Sequence, residues 1–128
     1  NFLTQSVSLA SMPMSTFLHD VAERSGWNVL VSSAFVKDLP SEWPHYVTAK
    51  CAIEGLAQWA AVQYPKVHTL IVRPPKLLTD QTNTTVGRQG AMEVERAAAA
   101  IVTRIAYPGS APTGEILETF ELNPEASR

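Results

Sequence analysis

Tyr46 and Lys50 are the two residues of this sequence whose types and spacing could do chemistry. They stand four residues apart in HYVTAKCAIEGLAQWAAVQYP, the stretch from His45 to Pro65, which has the pattern of an amphipathic helix. Positions i and i+4 share one helix face, so the ammonium can approach the phenol oxygen. A nearby cation lowers the pKa of a phenol, and such a tyrosine could exchange a proton with a substrate oxygen.

Two serines stand where they could meet the same substrate. Ser32 and Ser33 directly follow Trp27 to Val31, a short apolar run typical of a strand buried on both faces. Open α/β sheets place their ligands at the carboxyl ends of the strands. A hydroxyl at this point could therefore hold the oxygen that Tyr46 protonates.

The spacing of Tyr46 and Lys50 also has a plainer interpretation, as the solvated edge of an amphipathic helix. With three tyrosines and four lysines in the chain, a lone YxxxK arises by chance in roughly one such sequence in ten. Most such pairs are solvated helix faces, so the surrounding sequence has to decide.

The composition narrows the classes of function. The chain has 128 residues, 45% hydrophobic and 17% charged, which is typical of one soluble globular domain. A net charge of −2, without a block of lysines or arginines, predicts no nucleic-acid and no anionic-membrane partner. No apolar run reaches roughly 18 residues and no signal-peptide pattern opens the chain, which predicts a cytoplasmic protein. The single cysteine, Cys51, fits a reducing compartment and a buried position.

The elements that must position these residues alternate between helical and strand patterns. The first half has a predicted helix from Pro13, in its first turn, to Ser25-Gly26, a strand at 27–31 and a loop at 37–44. A second predicted helix runs from Tyr46 to about Val62, with an apolar stripe of Ala49, Ile53, Leu56 and Ala60. The remaining predicted elements are a strand at 67–72, a mobile loop at 79–90, a helix at 93–105 and a strand at 116–122.

This order predicts an α/β fold in a single domain spanning 1–128. Strand, crossover helix and strand again, with short loops, is typical of a parallel sheet with right-handed crossovers. We expect part of a Rossmann-like doubly wound sheet, with about three strands and three helices. Parallel strands need neighbours on both sides. A sheet of only three strands should therefore have an apolar edge that pairs with a partner.

Further residues extend the pattern over nearly the whole chain. Gly26 precedes the strand that ends in Ser32-Ser33, and Tyr46 follows thirteen residues after Ser33. The strand at 67–72 leads into RPPKLLTD, from Arg73 to Asp80, and a TGEIL segment covers Thr113 to Leu117. This order and spacing resembles the short-chain dehydrogenase/reductase family, above all its ketoreductases, and the TGEIL segment is similar to that family's final strand.

The resemblance implies an NAD(P)H-dependent ketoreductase, with NADP or NAD as cofactor and a small or carrier-bound carbonyl compound as substrate. Acyl thioesters of fatty-acid or polyketide synthesis are one such class. It implies that Tyr46 is the general acid, that Lys50 lowers the phenol pKa and binds the nicotinamide ribose, and that Ser33 holds the substrate carbonyl. The other residues expected beside the cofactor are Ser32, Pro74, Pro75 and Thr79.

Three departures from the family pattern matter. By spacing, Ser6 falls where the family has a proton-relaying asparagine at a helix start, and Pro75 replaces a glycine. No glycine-rich dinucleotide fingerprint is present. We therefore expect the carboxyl-terminal half of such a fold, which needs an amino-terminal half from the same longer chain or a separate subunit. We also expect a homo-oligomer through the helices at 13–24 and 46–62. The alternative is an inactive reductase-like scaffold or interaction module.

Other candidate residues favour structural roles. The three histidines lack metal-ligand spacing, which predicts no metal site: His19, His45 and His68. Cys51 lies next to Lys50, but no motif places a histidine base beside it, so we expect it to be inert. Arg73 is expected to form a structural pair, with Asp80 as one candidate partner, rather than to bind a substrate anion. The remaining candidates are interface or core aromatics: Trp59 and Tyr64.

Overall fold

A parallel β-sheet with helices packed on it organises the chain. The computed structural model describes residues 1–110 and 112–118, without the side chain of Gln81. The elements are α1 Phe2–Glu23, β1 Trp27–Val31, α2 Phe35–Asp38, α3 Pro44–Gln63, β2 His68–Val72, β3 Leu77–Leu78, a 3-10 turn Asp80–Thr82, β4 Met92–Glu93, α4 Val94–Ala106 and β5 Glu115–Leu117.

The main sheet has three parallel strands in the order β1-β2-β5. β1 and β2 are in register from the pair Trp27 and His68 to the pair Val31 and Val72. The last four residues of the central strand β2 are all buried, as expected for a parallel strand covered on both faces. The predicted α/β class with a small parallel sheet is confirmed.

Each face of the sheet carries its own apolar cluster. The first cluster joins α1 and α3 to the sheet through Met14, Leu18, Leu30, Ile53, Ala57, Ala60, Val67 and Ile71. The second joins the other face to α4 through Leu70, Val72 and Leu117, with Ala100 and Ile101 packed against them. Although α1 and α3 have 22 and 20 residues, no helix in the described part of the chain is apolar enough to cross a bilayer.

The predicted start of the first helix is wrong. α1 begins at Phe2, and Asn1 caps it by accepting a hydrogen bond from the Thr4 amide at 3.0 Å. Pro13 therefore lies inside the helix, where it cannot donate to the carbonyl of Leu9. Tertiary packing outweighs that loss because both sides of the proline contribute to the core, Ala10 before it and Met14 after it.

The described part of the chain has four helices, one more than the approximate number predicted. The additional helix, α2, occupies Phe35–Asp38 and overlaps the predicted loop at 37–44. The predicted strand at 27–31 is confirmed, but only Leu30 in it is buried because β1 is an edge strand. The apolar stripe of α3 is confirmed: Ala49, Ile53 and Ala60 are buried and Leu56 is partly buried.

The polar segment from Thr79 to Gly90 contains the 3-10 turn, in which Thr79 and Thr82 cap each other through side chain and backbone. Its mobility stays a prediction. The last predicted strand, at 116–122, is present as β5. Residues 119–122 of that prediction lie outside the described part of the chain.

The turn before β5 explains part of the TGEIL segment. The Thr113 hydroxyl accepts a hydrogen bond from the Thr69 amide at 2.9 Å and donates to the Val67 carbonyl at 2.7 Å. Gly114 has a positive φ of 83°, and a Cβ there would lie 3.1 Å from the Cβ of Ala61. Threonine and glycine at these two positions thus fasten β5 to β2 beneath α3.

Replacing Thr113 by valine keeps the shape of the side chain and removes this double hydrogen bond. We expect the Thr113→Val variant to lose roughly 1–3 kcal/mol of unfolding free energy, because a part-buried amide and carbonyl are left without their partner. Urea denaturation measures the loss. Thr103→Val on the exposed side of α4 is the matched control and should stay within about 0.5 kcal/mol of the wild type. Equal stability of the two variants would contradict the assigned role.

Candidate active site

Tyr46 and Lys50 both lie in the first turns of α3. The Lys50 Nζ is 5.5 Å from the centroid of the Tyr46 ring, and it donates a hydrogen bond to the Val31 carbonyl at 3.0 Å. The ammonium therefore lies over the face of the ring and is held by the last residue of β1. This arrangement combines a cation–π contact with a directional hydrogen bond.

The Val31 carbonyl is available because β1 is an edge strand. Gly26 and Ser32 direct their main-chain groups to β2, where the Gly26 carbonyl accepts from His68 and the Ser32 amide donates to Val72. Main-chain groups alternate between the two edges of a strand, so those of Trp27, Val29 and Val31 point to the other edge. Lys50 thus binds an outward-facing carbonyl at an edge that carries no strand in the described part of the chain.

A groove of about 380 Å³ lies between this edge and α1. Its lining is Ser6, Leu9, Ala10, Pro13 and Met14 of α1, residues 28–31 of β1, and Lys50 and Ile53 of α3. Apart from Lys50, the groove is lined by uncharged side chains. Burial here lowers the pKa of the Lys50 ammonium below the usual lysine value.

The amino ends of three helices meet around the Tyr46 ring. Its centroid is 6.4 Å from that of Phe2 at the start of α1 and 6.2 Å from that of Phe35 at the start of α2. The Phe35 contact is edge-to-face, a favourable geometry for aromatic pairs. These contacts fix the phenol near the carboxyl end of β1 and beside the amino end of α1.

Ser33 is buried, with 8% of its surface exposed. Its Oγ accepts a hydrogen bond from the Phe35 amide at 3.2 Å, which starts α2. This bond uses a lone pair of the hydroxyl and not its proton. Phe35 therefore links the two candidate residues, since its amide contacts Ser33 and its ring contacts Tyr46.

Ser32, which the resemblance expects beside the cofactor, points to the interface between the sheet and α3. It is 2% exposed, and its hydroxyl donates to Oε1 of Glu54 at 2.5 Å. Neighbouring side chains of an extended segment point to opposite sides. The same alternation that buries Ser32 directs Ser33 away from this interface.

Arg73, at the end of β2, is the partner of the Glu54 carboxylate. Its Nε and Nη2 donate to the two carboxylate oxygens at 2.8 and 2.7 Å, and its Nη1 donates to Glu118 at 2.7 Å. Lys37 is 3.9 Å from Glu118. The structural pairing expected for Arg73 is present, with Glu54 and Glu118 as the partners.

The charges of this pair stabilise each other. Burial by itself raises the pKa of Glu54, but hydrogen bonds from Arg73 and Ser32 and the positive charge of Arg73 outweigh it, so the pKa lies below its usual value. The hydrogen bond to Glu54 is the largest cause that raises the pKa of Arg73. Sequence reasoning missed Glu54, although a glutamate beside Ile53, on the buried side of a helix, signals a cationic partner.

The segment after β2 takes a defined course. The Pro74 carbonyl accepts a hydrogen bond from the Ala34 amide at 3.0 Å, which ties the ends of β1 and β2 together. Pro74 is buried and Pro75 is half-buried. Thr79 is exposed, and its amide donates to the Thr82 hydroxyl at 2.7 Å. The Thr79 hydroxyl in turn accepts a hydrogen bond from the Thr82 amide.

The prediction that Ser6 stands at a helix start is wrong, because it lies in the second turn of α1 and lines the groove beside Lys50. Phe2, in the first turn of the same helix, contacts the Tyr46 ring.

The remaining candidates are distributed over the surface. Cys51 is exposed, so its predicted burial is wrong; it lies two residues from Ala49 and therefore on the other side of the helix. Trp59 is exposed and packs edge-on against Tyr64. In the described part of the chain, one group of ligand-type side chains is close enough for a cation, and all its members are exposed on α1: His19, Asp20 and Glu23.

Comparison with models of protein families gave no match, and comparison with curated proteins gave none either. What this chain does must therefore be inferred from its own residues. The candidate residues are Tyr46 and Lys50, in contact on α3, and Ser33, just after β1.

The lowered pKa of Lys50 can be measured by amine labelling. We expect the pH midpoint of acylation of Lys50 to lie below that of Lys66, which is exposed, because burial favours the neutral, reactive amine. Peptide mass spectrometry over a pH series gives each midpoint separately. A Lys50 midpoint equal to or above that of Lys66 would contradict the partial burial of the Lys50 ammonium.

The lowered pKa of Glu54 predicts a loss of stability in acid. A carboxylate whose folded pKa is below its unfolded pKa stabilises the fold above the unfolded value, and this stability is lost as the pH falls towards the folded value. Glu54→Gln should cost roughly 3 kcal/mol at neutral pH, as for a broken buried pair. The difference from wild type should shrink below about pH 4.3.

Urea denaturation between neutral pH and pH 3 measures this difference. Glu42→Gln, at an exposed position, is the control and should stay within about 0.5 kcal/mol of the wild type at neutral pH. A Glu54→Gln cost that does not change with pH would show that the carboxylate charge is not what stabilises the fold.

Proposed function

We propose that this chain is the catalytic half of an NAD(P)H-dependent ketoreductase of the short-chain type, with NADP or NAD as its cofactor. The observation that carries the proposal is the Lys50 ammonium, which the Val31 carbonyl holds over the Tyr46 ring at the end of β1. Ser33 follows the same strand. Phenol, ammonium and hydroxyl are the residue types that a carbonyl reduction needs.

In this proposal the cofactor supplies a hydride for the carbonyl carbon of the substrate. Tyr46 donates its proton to the carbonyl oxygen as negative charge develops there. The Lys50 ammonium stabilises the charge that remains on the phenol oxygen. Ser33, whose hydroxyl proton is not used in its bond to Phe35, donates a hydrogen bond to the same substrate oxygen. Both protein hydroxyls thus act where charge develops.

The active unit needs a further structural half. The sequence has no glycine-rich turn for a pyrophosphate, so the adenosine side of the cofactor has to be bound by an amino-terminal half, in the same longer chain or in a separate subunit. A strand of that half would add to the outward-facing main-chain groups of Trp27 and Val29. Exposed apolar residues of α1 and α3, among them Phe17, Trp59 and Val62, fit the proposed packing of a second copy in a homo-oligomer.

We further propose a small or carrier-bound carbonyl substrate, with acyl thioesters as one class, and a cytoplasmic location. The second candidate function is a reductase-like scaffold without activity. Two observations favour it: the Ser33 hydroxyl already accepts from the Phe35 amide, and Pro75 replaces a glycine with a residue that lacks an amide donor. A scaffold, however, has no use for an ammonium over a phenol ring, a geometry that costs desolvation.

The experiment that tests the proposal combines the chain with an amino-terminal half that carries the glycine-rich turn, as a fusion or by co-expression. NADPH oxidation is followed with a model ketone and with a 3-oxoacyl thioester. We expect Tyr46→Phe to lower kcat at least about 100-fold, because the general acid is removed. Tyr107→Phe, at an exposed position, is the matched control and should keep the wild-type rate.

Turnover that survives Tyr46→Phe would contradict the assigned general acid. No turnover in any pairing, with NADH as well as NADPH, would favour the scaffold.

A further inference from the structure

A buried polar bridge near the site has no part in the mechanism above. It consists of Ser32, Glu54 and Arg73 and is called here the Ser32–Glu54–Arg73 bridge. The Ser32 hydroxyl donates to Glu54 at 2.5 Å, and Arg73 holds both oxygens of the same carboxylate at 2.7 and 2.8 Å. The bridge joins the end of β1 to α3 and to the end of β2.

In the described part of the chain, the bridge and one further hydrogen bond join α3 to the end of β1. The other is the hydrogen bond from Lys50 to the Val31 carbonyl at 3.0 Å. On the helix the two tying residues, Lys50 and Glu54, are one turn apart. On the strand side the tied residues, Val31 and Ser32, are consecutive, and Ser33 follows them directly. The two hydrogen bonds thus join neighbouring turns of α3 to the two residues that lead directly into Ser33.

Arg73 makes the tie from Glu54 rigid. A glutamate side chain that held Ser32 alone could change rotamer, whereas a bidentate guanidinium contact fixes the plane of the carboxylate. Arg73 is itself held by Glu118, at 2.7 Å, just beyond β5. Through Arg73, the carboxylate that binds Ser32 is thus connected to the end of the central strand β2 and to Glu118 beyond β5.

We propose that Glu54, held by Arg73, is a positioning residue for the reductase reaction. By binding Ser32 it sets the turn that carries the Ser33 hydroxyl relative to the Lys50 ammonium and the Tyr46 phenol. This inference rests on the proposed function, and it adds a requirement: the chemistry depends on a hydroxyl at position 32 that does not touch the substrate.

A second ion pair offers a matched control. Arg104 of α4 holds both oxygens of Glu115 at the start of β5, at 2.8 and 2.6 Å through Nη2. The side chains of this pair are 21% and 23% exposed, against 15% and 11% for Arg73 and Glu54. Glu115 is aligned with Leu70, two residues before the end of β2. The Glu115→Gln variant breaks a similar pair away from Tyr46.

The first measurement needs no catalytic activity. Ser32→Ala removes the hydrogen bond to Glu54 without changing any charge near Lys50. The nearest charged side chain to Lys50 along α3 is Glu54, which keeps its bond to Arg73. We expect the acylation midpoint of Lys50 in this variant to rise towards that of the exposed Lys66, because the looser helix start admits water. Glu115→Gln should leave the Lys50 midpoint unchanged. Urea denaturation shows that both variants are folded.

The second measurement uses the assembled reductase. Ser32→Ala and Glu54→Gln should lower kcat about tenfold to 100-fold, the effect of a misplacement near 1 Å, with the KM for NADPH unchanged. Ser32→Thr keeps the hydroxyl and should restore most of kcat and the wild-type Lys50 midpoint. Glu115→Gln should lower stability and leave kcat unchanged.

The two measurements separate the two ideas. An unchanged Lys50 midpoint in Ser32→Ala would overturn the positioning role, whether or not the assembled protein turns over. If the wild type is active and Ser32→Ala has the same kcat as Glu115→Gln, the positioning role is also overturned, and the reductase function is not affected. If the wild type is inactive but Ser32→Ala raises the acylation midpoint of Lys50, the reductase function is rejected. The coupling between Ser32 and Lys50 would still be supported.

Discussion

The Glu54 and Arg73 ion pair is the interaction on which the rest of the structure depends. A carboxylate on the buried side of α3 would be costly without a partner, and the guanidinium at the end of β2 meets both of its oxygens. Through Ser32 and Glu118 the same pair reaches the ends of β1 and β5. One largely buried charge pair therefore joins α3 to the ends of all three strands of the main sheet.

The placement of α3 in turn decides where the chemistry-bearing groups lie. Lys50 is one turn before Glu54, so the helix position that satisfies the ion pair also brings the ammonium to the Val31 carbonyl at the sheet edge. Tyr46, one turn earlier again, meets the rings of Phe2 and Phe35 at the starts of α1 and α2. The ammonium is partly desolvated there. The proposed reductase function would explain why the ammonium is kept there despite its desolvation, because a positive charge beside a phenol supports proton transfer.

Much of the fold was predictable from local pattern, and the errors have physical causes. The 3.6-residue stripe of α3 and the apolar run of β2 predicted both elements, because burial on a known face leaves a periodic signal. Pro13 misled the prediction of α1, since proline is common in a first turn and tolerated inside a helix only when packing on both sides outweighs the lost bond. Cys51 was expected inside by residue type, but its position on α3 faces solvent.

The sequence by itself determined the alternation of strands and helices and the four-residue spacing of Tyr46 and Lys50, since both follow from short-range geometry. Tertiary structure alone decided which serine binds Glu54, which carbonyl receives the Lys50 ammonium, and which acids surround Arg73. These pairings join residues from 19 to 45 positions apart. Nothing in the local pattern specifies such partners, because they depend on how α3 is set across the strand ends.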